Sequence, residues 1–480
     1  MEQQFNLGFE ILRKAAEFPQ SVALRAPGQE MTYDQLRTRI IRYALQLRHR
    51  GIGRSSCVAL DTNRMPEGIA LPLALALLGS RWVRLTPEAR WDALGVTHIL
   101  ALTAPQGVAP RNFHIVDDSW VLPPPGVDLS KPVGFEGYAS PDDIALFSQS
   151  SGTTGRPKFI AKSYSKVWIL AEQRFSEDFI AVYSGFPPLS GIGFHVSIEM
   201  LLGGGTVIVG GSDVQQLNAL GAQRVIASPA QIEGLCRNLE GLNPRIPLLS
   251  AAGAMVSSPL IRHWLRFFER IGVLYGSQEA WRGGSAFFTD VPPSEAVAYV
   301  SDSDVKIEIV DPDDLPCPAD MIGIVRIRTP EMVEEYVAAP EATAEAFRNG
   351  WFYPGDLGSL SADGKLRIHG RIKDQFNLGG VKVNGADIDS TAGAASGVQA
   401  VVSFTRPVEG GLDDLCVLAV LAPGIPPQVA AEQIRICCSS IRGPELIPKS
   451  VFFADHVPIN ENGKPVRETA LEMSSTLLAY

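Results

Sequence analysis

Cysteine is scarce in this chain. Its 480 residues include six (Cys57, Cys236, Cys317, Cys416, Cys437 and Cys438), with no CxxC pair and no regular spacing. That excludes a disulfide framework and reads as a set of reduced thiols, with the adjacent Cys437 and Cys438 as ordinary helix residues. Long apolar runs are missing as well. The longest, GIALPLALALLG (Gly68–Gly79), falls short of the ~20 residues of a membrane-spanning helix and is expected to be a buried helix. The opening MEQQFNLGFEILRKAAEFP has no basic stretch leading into an apolar core, so no signal peptide is expected. Positive charge is also in deficit, with 42 Lys and Arg against 52 Asp and Glu, a net charge of −10. Such a balance excludes a general affinity for nucleic acid or an anionic membrane, both of which need a basic surface. A small phosphate ligand stays open, because a few local donors can oppose the global field. No internal repeat and no low-complexity tract is present. The expectation is a cytoplasmic protein with no membrane span.

The chain is long enough for two or three domains, since a single core stops growing at roughly 250–300 residues. In MTYDQLRTRIIRYALQLRHRG, Thr32 and Gln35 stand at capping-box spacing. Leu36, Ile40, Tyr43 and Leu47 share one helical face, and Gly51 can close the helix. CVAL (57–60) follows as a short strand. TVIVG, RVIAS, IPLLSAAG and IGVLYGS are β-rich runs ending in glycine or serine, with helical stretches between them. This alternation predicts an α/β fold with parallel sheets, whose ligands bind beyond the carboxyl ends of the strands. After about residue 300 the strands VKIEIVD, GIVRIRT and KLRIHG are shorter and joined by Asp/Pro/Gly turns, as in a small β-rich unit. GRIKDQFNLGG (Gly370–Gly380) is charged and glycine-rich, and a domain boundary is expected within it. Beyond it QAVVSF, LCVLAVLA and VAAEQIRICCSSI alternate strand and helix again.

One stretch is dense in hydroxyls and glycines and directly follows the apolar run IALF. It comprises Ser150, Ser151, Gly152, Thr153, Thr154, Gly155, Arg156, Pro157 and Lys158. A Walker A loop needs four residues between its glycines and a lysine directly after the second. Here two residues separate Gly152 from Gly155, and Lys158 is third after Gly155, so that loop is excluded. The physics of phosphate binding survives: glycines let backbone N–H groups approach phosphate oxygens, hydroxyls add donors, and Lys158 adds charge.

This stretch resembles, at all nine positions, the signature of the adenylate-forming superfamily of acyl- and aryl-CoA synthetases, peptide-synthetase adenylation domains and beetle luciferases. Four further blocks follow in the family's order. YGSQEA resembles the Tyr-Gly-Ser/Thr-Thr-Glu block. The resemblance implies that Tyr275 stacks on adenine, with Gly276, Ser277 and Gln278 beside the nucleotide and Glu279 holding Mg2+. Gln278 stands where threonine is usual. In WFYPGDLG, Asp356 matches the aspartate that accepts from the ribose hydroxyls, while Pro354 replaces a threonine. In GRIKDQFNLGGVKV, Arg371 would contact ribose and phosphate and Lys373 is the hinge. Gly379 and Gly380 would lie in the loop brought to the incoming thiol. In PINENGKPVRETAL, Lys464 matches the lysine bridging the substrate carboxylate and the α-phosphate.

The resemblance implies an N-terminal ATP- and carboxylate-binding domain (1–372) of parallel α/β sheets plus a small β-rich unit. A small mobile α+β domain (373–480) carrying Lys464 would follow. It implies ATP, Mg2+ and a thiol acceptor, either CoA or the phosphopantetheine of a separate acyl carrier protein, and a two-step reaction in which a carboxylic acid becomes an acyl-adenylate and then a thioester. The NLGGVKV loop favours CoA. No cysteine or Ser-His nucleophile is required. The acyl pocket is expected at Ser190, Gly193, Phe194 and His195, with Gly253 and Ala254 as another wall. Many family members have Pro-Leu-Phe-His where this chain has Pro-Leu-Ser-Gly. Peptide-synthetase domains carry an aspartate where Phe194 or His195 stands here, and without it a buried α-ammonium would be unpaired. The expected acid is therefore aliphatic or aromatic and not an α-amino acid. A carrier-protein ligase, a luciferase-like oxygenase and a non-catalytic ATP-binding homologue are the alternatives on the same fold.

Overall fold

The computed structural model describes residues 5–86, 91–103, 112–127, 134–138, 140–150, 158–172, 180–292, 297–378, 381–408, 413–439, 446–459 and 465–480. The capping box at Thr32 forms as expected. Thr32 N donates to Gln35 Oε1 at 2.8 Å, and Gln35 N donates to Thr32 Oγ1 at 3.3 Å. It starts the helix Tyr33–His49, whose Leu36, Ile40, Tyr43 and Leu47 are buried. The apolar run at Gly68 lies in the helix Glu67–Leu77, buried along its whole length. Cys437 and Cys438 end the helix Pro427–Cys438.

Three sheets are built from the residues before 372. An eight-stranded sheet runs Gly284–Phe288, Phe268–Tyr275, Ile246–Ala252, Arg224–Ala227, Ala181–Ser184, Thr206–Ile208, Val22–Ala26, Gln29–Thr32. Its six inner strands are parallel and each edge is closed by an antiparallel strand. A six-stranded sheet runs Phe113–Ile115, His98–Ala101, Cys57–Asp61, Arg81–Arg84, Ile144–Ser150, Lys158–Ser163, and its last pair is antiparallel. The helices Glu67–Leu77 and Gly191–Leu202 share one core with residues of both sheets, among them Val58, Leu146, Val182 and Val207. Both helices are buried almost throughout and dominated by apolar residues, as befits a helix between two sheets. The short strands after residue 297 form a seven-stranded antiparallel sheet, and its Val325, Ile327 and Leu366 share a second core with the far face of the eight-stranded sheet.

From Gln375 onward there is a hairpin (Gln375–Leu378 with Val381–Asn384) and a three-stranded sheet (Val398–Arg406, Asp414–Leu421, Ser450–Phe453). Among the described residues, their cores begin at Phe376 and contain none from earlier in the chain. The turn Ile372–Asp374 joins the two sets. The mixed α/β architecture is the one the strand pattern predicts. The antiparallel edges and the division of the parallel strands between two sheets were not legible, because edge pairing depends on partners distant in sequence.

Candidate active site

The parallel strands of the large sheet stop at Ser184, Ala227, Ala252 and Tyr275. Next to these ends opens a cavity of about 1570 Å³, walled by residues of all three sheets and of the C-terminal segment. It exceeds the ~300–1,000 Å³ of a typical single-ligand site, so two ligands can share it. Ser150, Lys158, Ser190, Phe194, His195, Gly253, Tyr275, Gly276, Ser277, Gln278, Glu279, Asp356, Arg371 and Lys373 all line it. Among the described residues Gly193 and Ala254 are not walls. A side chain at Gly193 would stand 2.1 Å from the Pro187 carbonyl oxygen, so this glycine serves the close packing of helix on loop. Ser151, Gly152, Thr153, Thr154, Gly155, Gly379, Gly380 and Lys464 lie outside the described residues. Ser150 and Lys158, the two ends of the hydroxyl-rich motif, are partners on adjacent antiparallel strands. Ile459 and Pro465, paired by an isolated bridge on either side of Lys464, line the same cavity.

On one side Tyr275 Oη donates to Asp356 Oδ2 at 2.7 Å, and Arg371 Nε lies 3.3 Å from Asp356 Oδ1. Burial pushes the Tyr275 phenol well above its usual range and Asp356 adds to the shift, so it stays a donor. Lys373 lies 3.7 Å from Glu345. Glu279 is buried, not a solvated surface acid. Its Oε1 accepts from Tyr336 Oη at 2.8 Å, and Lys158 Nζ lies 4.8 Å above the Tyr336 ring. Burial raises the Tyr336 phenol, and the Glu279 charge raises it further. Among the described residues no group of three or more His, Cys, Asp or Glu side chains could hold a metal. A cation at Glu279 would therefore draw its other ligands from nucleotide oxygens and water, which is how Mg2+ is commonly held.

On the other side the walls are apolar and aromatic. Trp82 meets Phe194 edge to face at 5.1 Å, and His195 meets Trp281 in the same way at 4.4 Å. The Ser190 hydroxyl caps the helix Gly191–Leu202, accepting from Gly193 N at 3.1 Å and donating to the Pro187 carbonyl at 2.7 Å. Glu199 also lines this compartment, neutralised by Arg224 at 3.3 Å. Trp281 has φ of 65°, an expensive backbone for a bulky residue, of the kind found at functional sites. The loop that holds it is closed by Gly283 N on the Tyr275 carbonyl and Trp281 N on the Ser277 carbonyl, both at 2.9 Å.

Two of these residues, Tyr336 and Trp281, belong to no motif, and neither does Lys162, which packs on Trp281 and Gln278 from outside the cavity wall. Lys162 is 1% exposed, and burial pulls its ammonium down to about 7, with the Glu279 charge opposing the shift and Lys166 adding to it. The legible signal was its place on the strand Lys158–Ser163, two residues after the buried Ile160 and so on the same face.

A family model described as AMP-binding enzyme matches residues 11–337. The 3-hydroxybenzoate–CoA ligase of Aromatoleum sp. (strain CIB) is 26% identical over 498 residues, covering 92% of this chain and 91% of the relative. A feruloyl-CoA synthase of Amycolatopsis sp. is 26% identical, covering 95% and 97%. In structure, the O-succinylbenzoate coenzyme A synthetase of Bacillus subtilis in complex with AMP superposes with a TM-score of 0.80 at 18% identity, covering 96% of this chain and 97% of that one. An amide bond synthetase of Marinactinospora thermotolerans superposes with a TM-score of 0.77 at 21% identity, covering 97% and 99%. The chain belongs to the AMP-binding enzyme family, and its fold is the adenylate-forming one that its motifs led us to expect.

Proposed function

We propose that this protein activates an aromatic carboxylic acid with Mg·ATP and transfers the acyl group to the thiol of CoA. In the first step a carboxylate oxygen attacks the α-phosphorus, the bond to the bridging oxygen breaks, and pyrophosphate leaves. In the second the thiol sulfur attacks the acyl carbon, the acyl–phosphate bond breaks, AMP leaves, and the thiol proton passes to solvent. Chemistry of this kind asks the protein mainly for positioning and charge stabilisation.

The observation that carries the reading is one cavity with two unlike halves. Tyr275, Asp356, Arg371, Lys158 and Glu279 gather polar and charged groups on one side, while Trp82, Phe194, His195 and Trp281 form an aromatic compartment on the other. In this reading Asp356 orients the ribose, and Lys158 with Ser150 faces the phosphates. Glu279 holds Mg2+, which when bound neutralises phosphate charge. The aromatic half suits a planar ring, and the substrates named for the 26% identical relatives, a hydroxybenzoate and ferulate, are acids of that kind. With Glu199 already engaged by Arg224, an α-ammonium would enter without a free counter-charge, so α-amino acids should be poor substrates. Separate cores on either side of Ile372–Asp374 favour rotation of residues 373–480 about Lys373 between the two steps.

The test is pyrophosphate release with Mg·ATP against aryl, fatty, dicarboxylic and amino acids, each with and without CoA. Multiple turnover of aryl acids only with CoA, yielding aryl-CoA, is the expected outcome. A single equivalent unchanged by CoA would assign the acyl group to another acceptor, a carrier protein or an amine. Tyr336→Phe should lower the adenylation rate about tenfold, because it removes a hydrogen bond to a charged group. Thermal stability should fall by only a few degrees, and single-turnover pyrophosphate release alongside a melting curve checks both.

A further inference from the structure

Two departures from the family pattern, glycine at 191 and glutamine at 278, are in contact. A Cβ built on Gly191 would lie 2.1 Å from Gln278 Oε1 and 2.3 Å from Nε2. The glutamine amide therefore occupies the space that a side chain at 191 would fill. On its other side lies Lys162, whose Nζ donates to Gln278 Oε1 at 3.2 Å and sits 4.9 Å over the Trp281 ring. Protonated or neutral, the Lys162 nitrogen carries N–H donors, and the amide oxygen of Gln278 is the end that accepts from it. The oxygen turns toward Lys162, and Nε2, which makes no hydrogen bond to a described residue, is left at the cavity wall.

We propose that Lys162 is a positioning residue for the acid: through Gln278 Oε1 it holds the amide so that Nε2 donates to a carboxylate oxygen of the substrate, and Gly191 supplies the space. This deepens the aryl-acid reading above and rests on it. The acid is assigned over the α-phosphate because Gln278 packs on the first residue of the helix Gly191–Leu202, the helix that carries Phe194 and His195 into the aromatic half. Among the described residues Gln278 Oε1 is the hydrogen-bond acceptor of Lys162, whose burial opposes its charge, so a methionine of similar volume keeps the packing while removing the donor.

The experiment compares wild type, Lys162→Met, Gly191→Ala and Gln278→Thr, and adds each of the first two to Gln278→Thr. For each protein it measures the KM for 3-hydroxybenzoate, the KM for ATP and the melting temperature. Gly191→Ala displaces only the end of a flexible side chain, so it disturbs Gln278 without touching Lys162. Lys162→Met and Gly191→Ala should each raise the acid KM by about tenfold, the scale of one hydrogen bond to a charged group, and Gly191→Ala, which leaves the charge beside Glu279 in place, should leave the ATP KM within about twofold. In the Gln278→Thr background neither should add a further loss. Inhibition by 3-hydroxybenzyl alcohol, which lacks the carboxylate, should be unchanged by Lys162→Met. Losses that add in the double variants, or a rise in ATP KM alongside acid KM in Gly191→Ala, would overturn the proposal while wild-type turnover kept the aryl-acid reading intact. Wild type that turns over no aryl acid would overturn that reading and this proposal with it.

Discussion

Glu279→Gln is expected to slow adenylate formation by about 10²-fold or more, the scale of the several kcal/mol that a bound cation supplies to phosphoryl chemistry. The substitution isolates charge from shape. Glutamine keeps the volume and an oxygen that can accept from Tyr336 Oη, now 2.8 Å from the carboxylate, so the surrounding packing is preserved. What disappears is the negative charge, and the described residues offer no cluster of ligands to replace it. The measurement is single-turnover pyrophosphate release as a function of free Mg2+. The expected curve is shifted to higher Mg2+, with the melting temperature close to wild type. A rate reduced equally at every Mg2+ concentration would show that Glu279 acts on the site without holding the cation.

Much of this architecture was legible because the chain punctuates its elements. Glycine or serine closes the runs TVIVG, RVIAS, IPLLSAAG and IGVLYGS of the large sheet, the Thr32–Gln35 box starts its helix, and the run at Gly68 is apolar on every face. These are local signals, and each formed the expected element. The site was legible where its residues stand in ordered blocks, as Ser150, Tyr275, Glu279, Asp356 and Arg371 do. It was illegible where a contact joins positions far apart. Lys162, Gly191 and Gln278 are separated by 29 and 87 residues, and nothing local links them. Read singly, glycine at 191 and glutamine at 278 are two unexplained substitutions. In space the first makes room for the second. Tyr336 sits in EMVEEYVAAP with no motif around it, and only the fold brings its hydroxyl to Glu279. Trp281 follows a recognised block directly, yet its left-handed backbone follows from loop closure between Tyr275 and Gly283.

Lys464→Ala is the variant that tests division of labour between the two steps. Its position follows from the Pro458–Arg467 block, and its flanking residues Ile459 and Pro465 border the cavity. An ammonium bridging the carboxylate and the α-phosphate stabilises charge that gathers only as the new P–O bond forms, so its loss should fall on the adenylation rate by about 10²-fold or more. The same lysine has no task once the mixed anhydride exists. Thioester formation from a preformed aryl-adenylate and CoA should therefore change by less than about threefold, since its charge develops on the acyl oxygen and the AMP leaving group. Rapid-quench measurement of both half-reactions on one enzyme preparation makes the comparison internal, so partial misfolding would depress both steps alike. Equal losses would place Lys464 in a structural role. A selective loss of the first step would assign it to adenylation, with residues 373–480 turning away before the thiol enters.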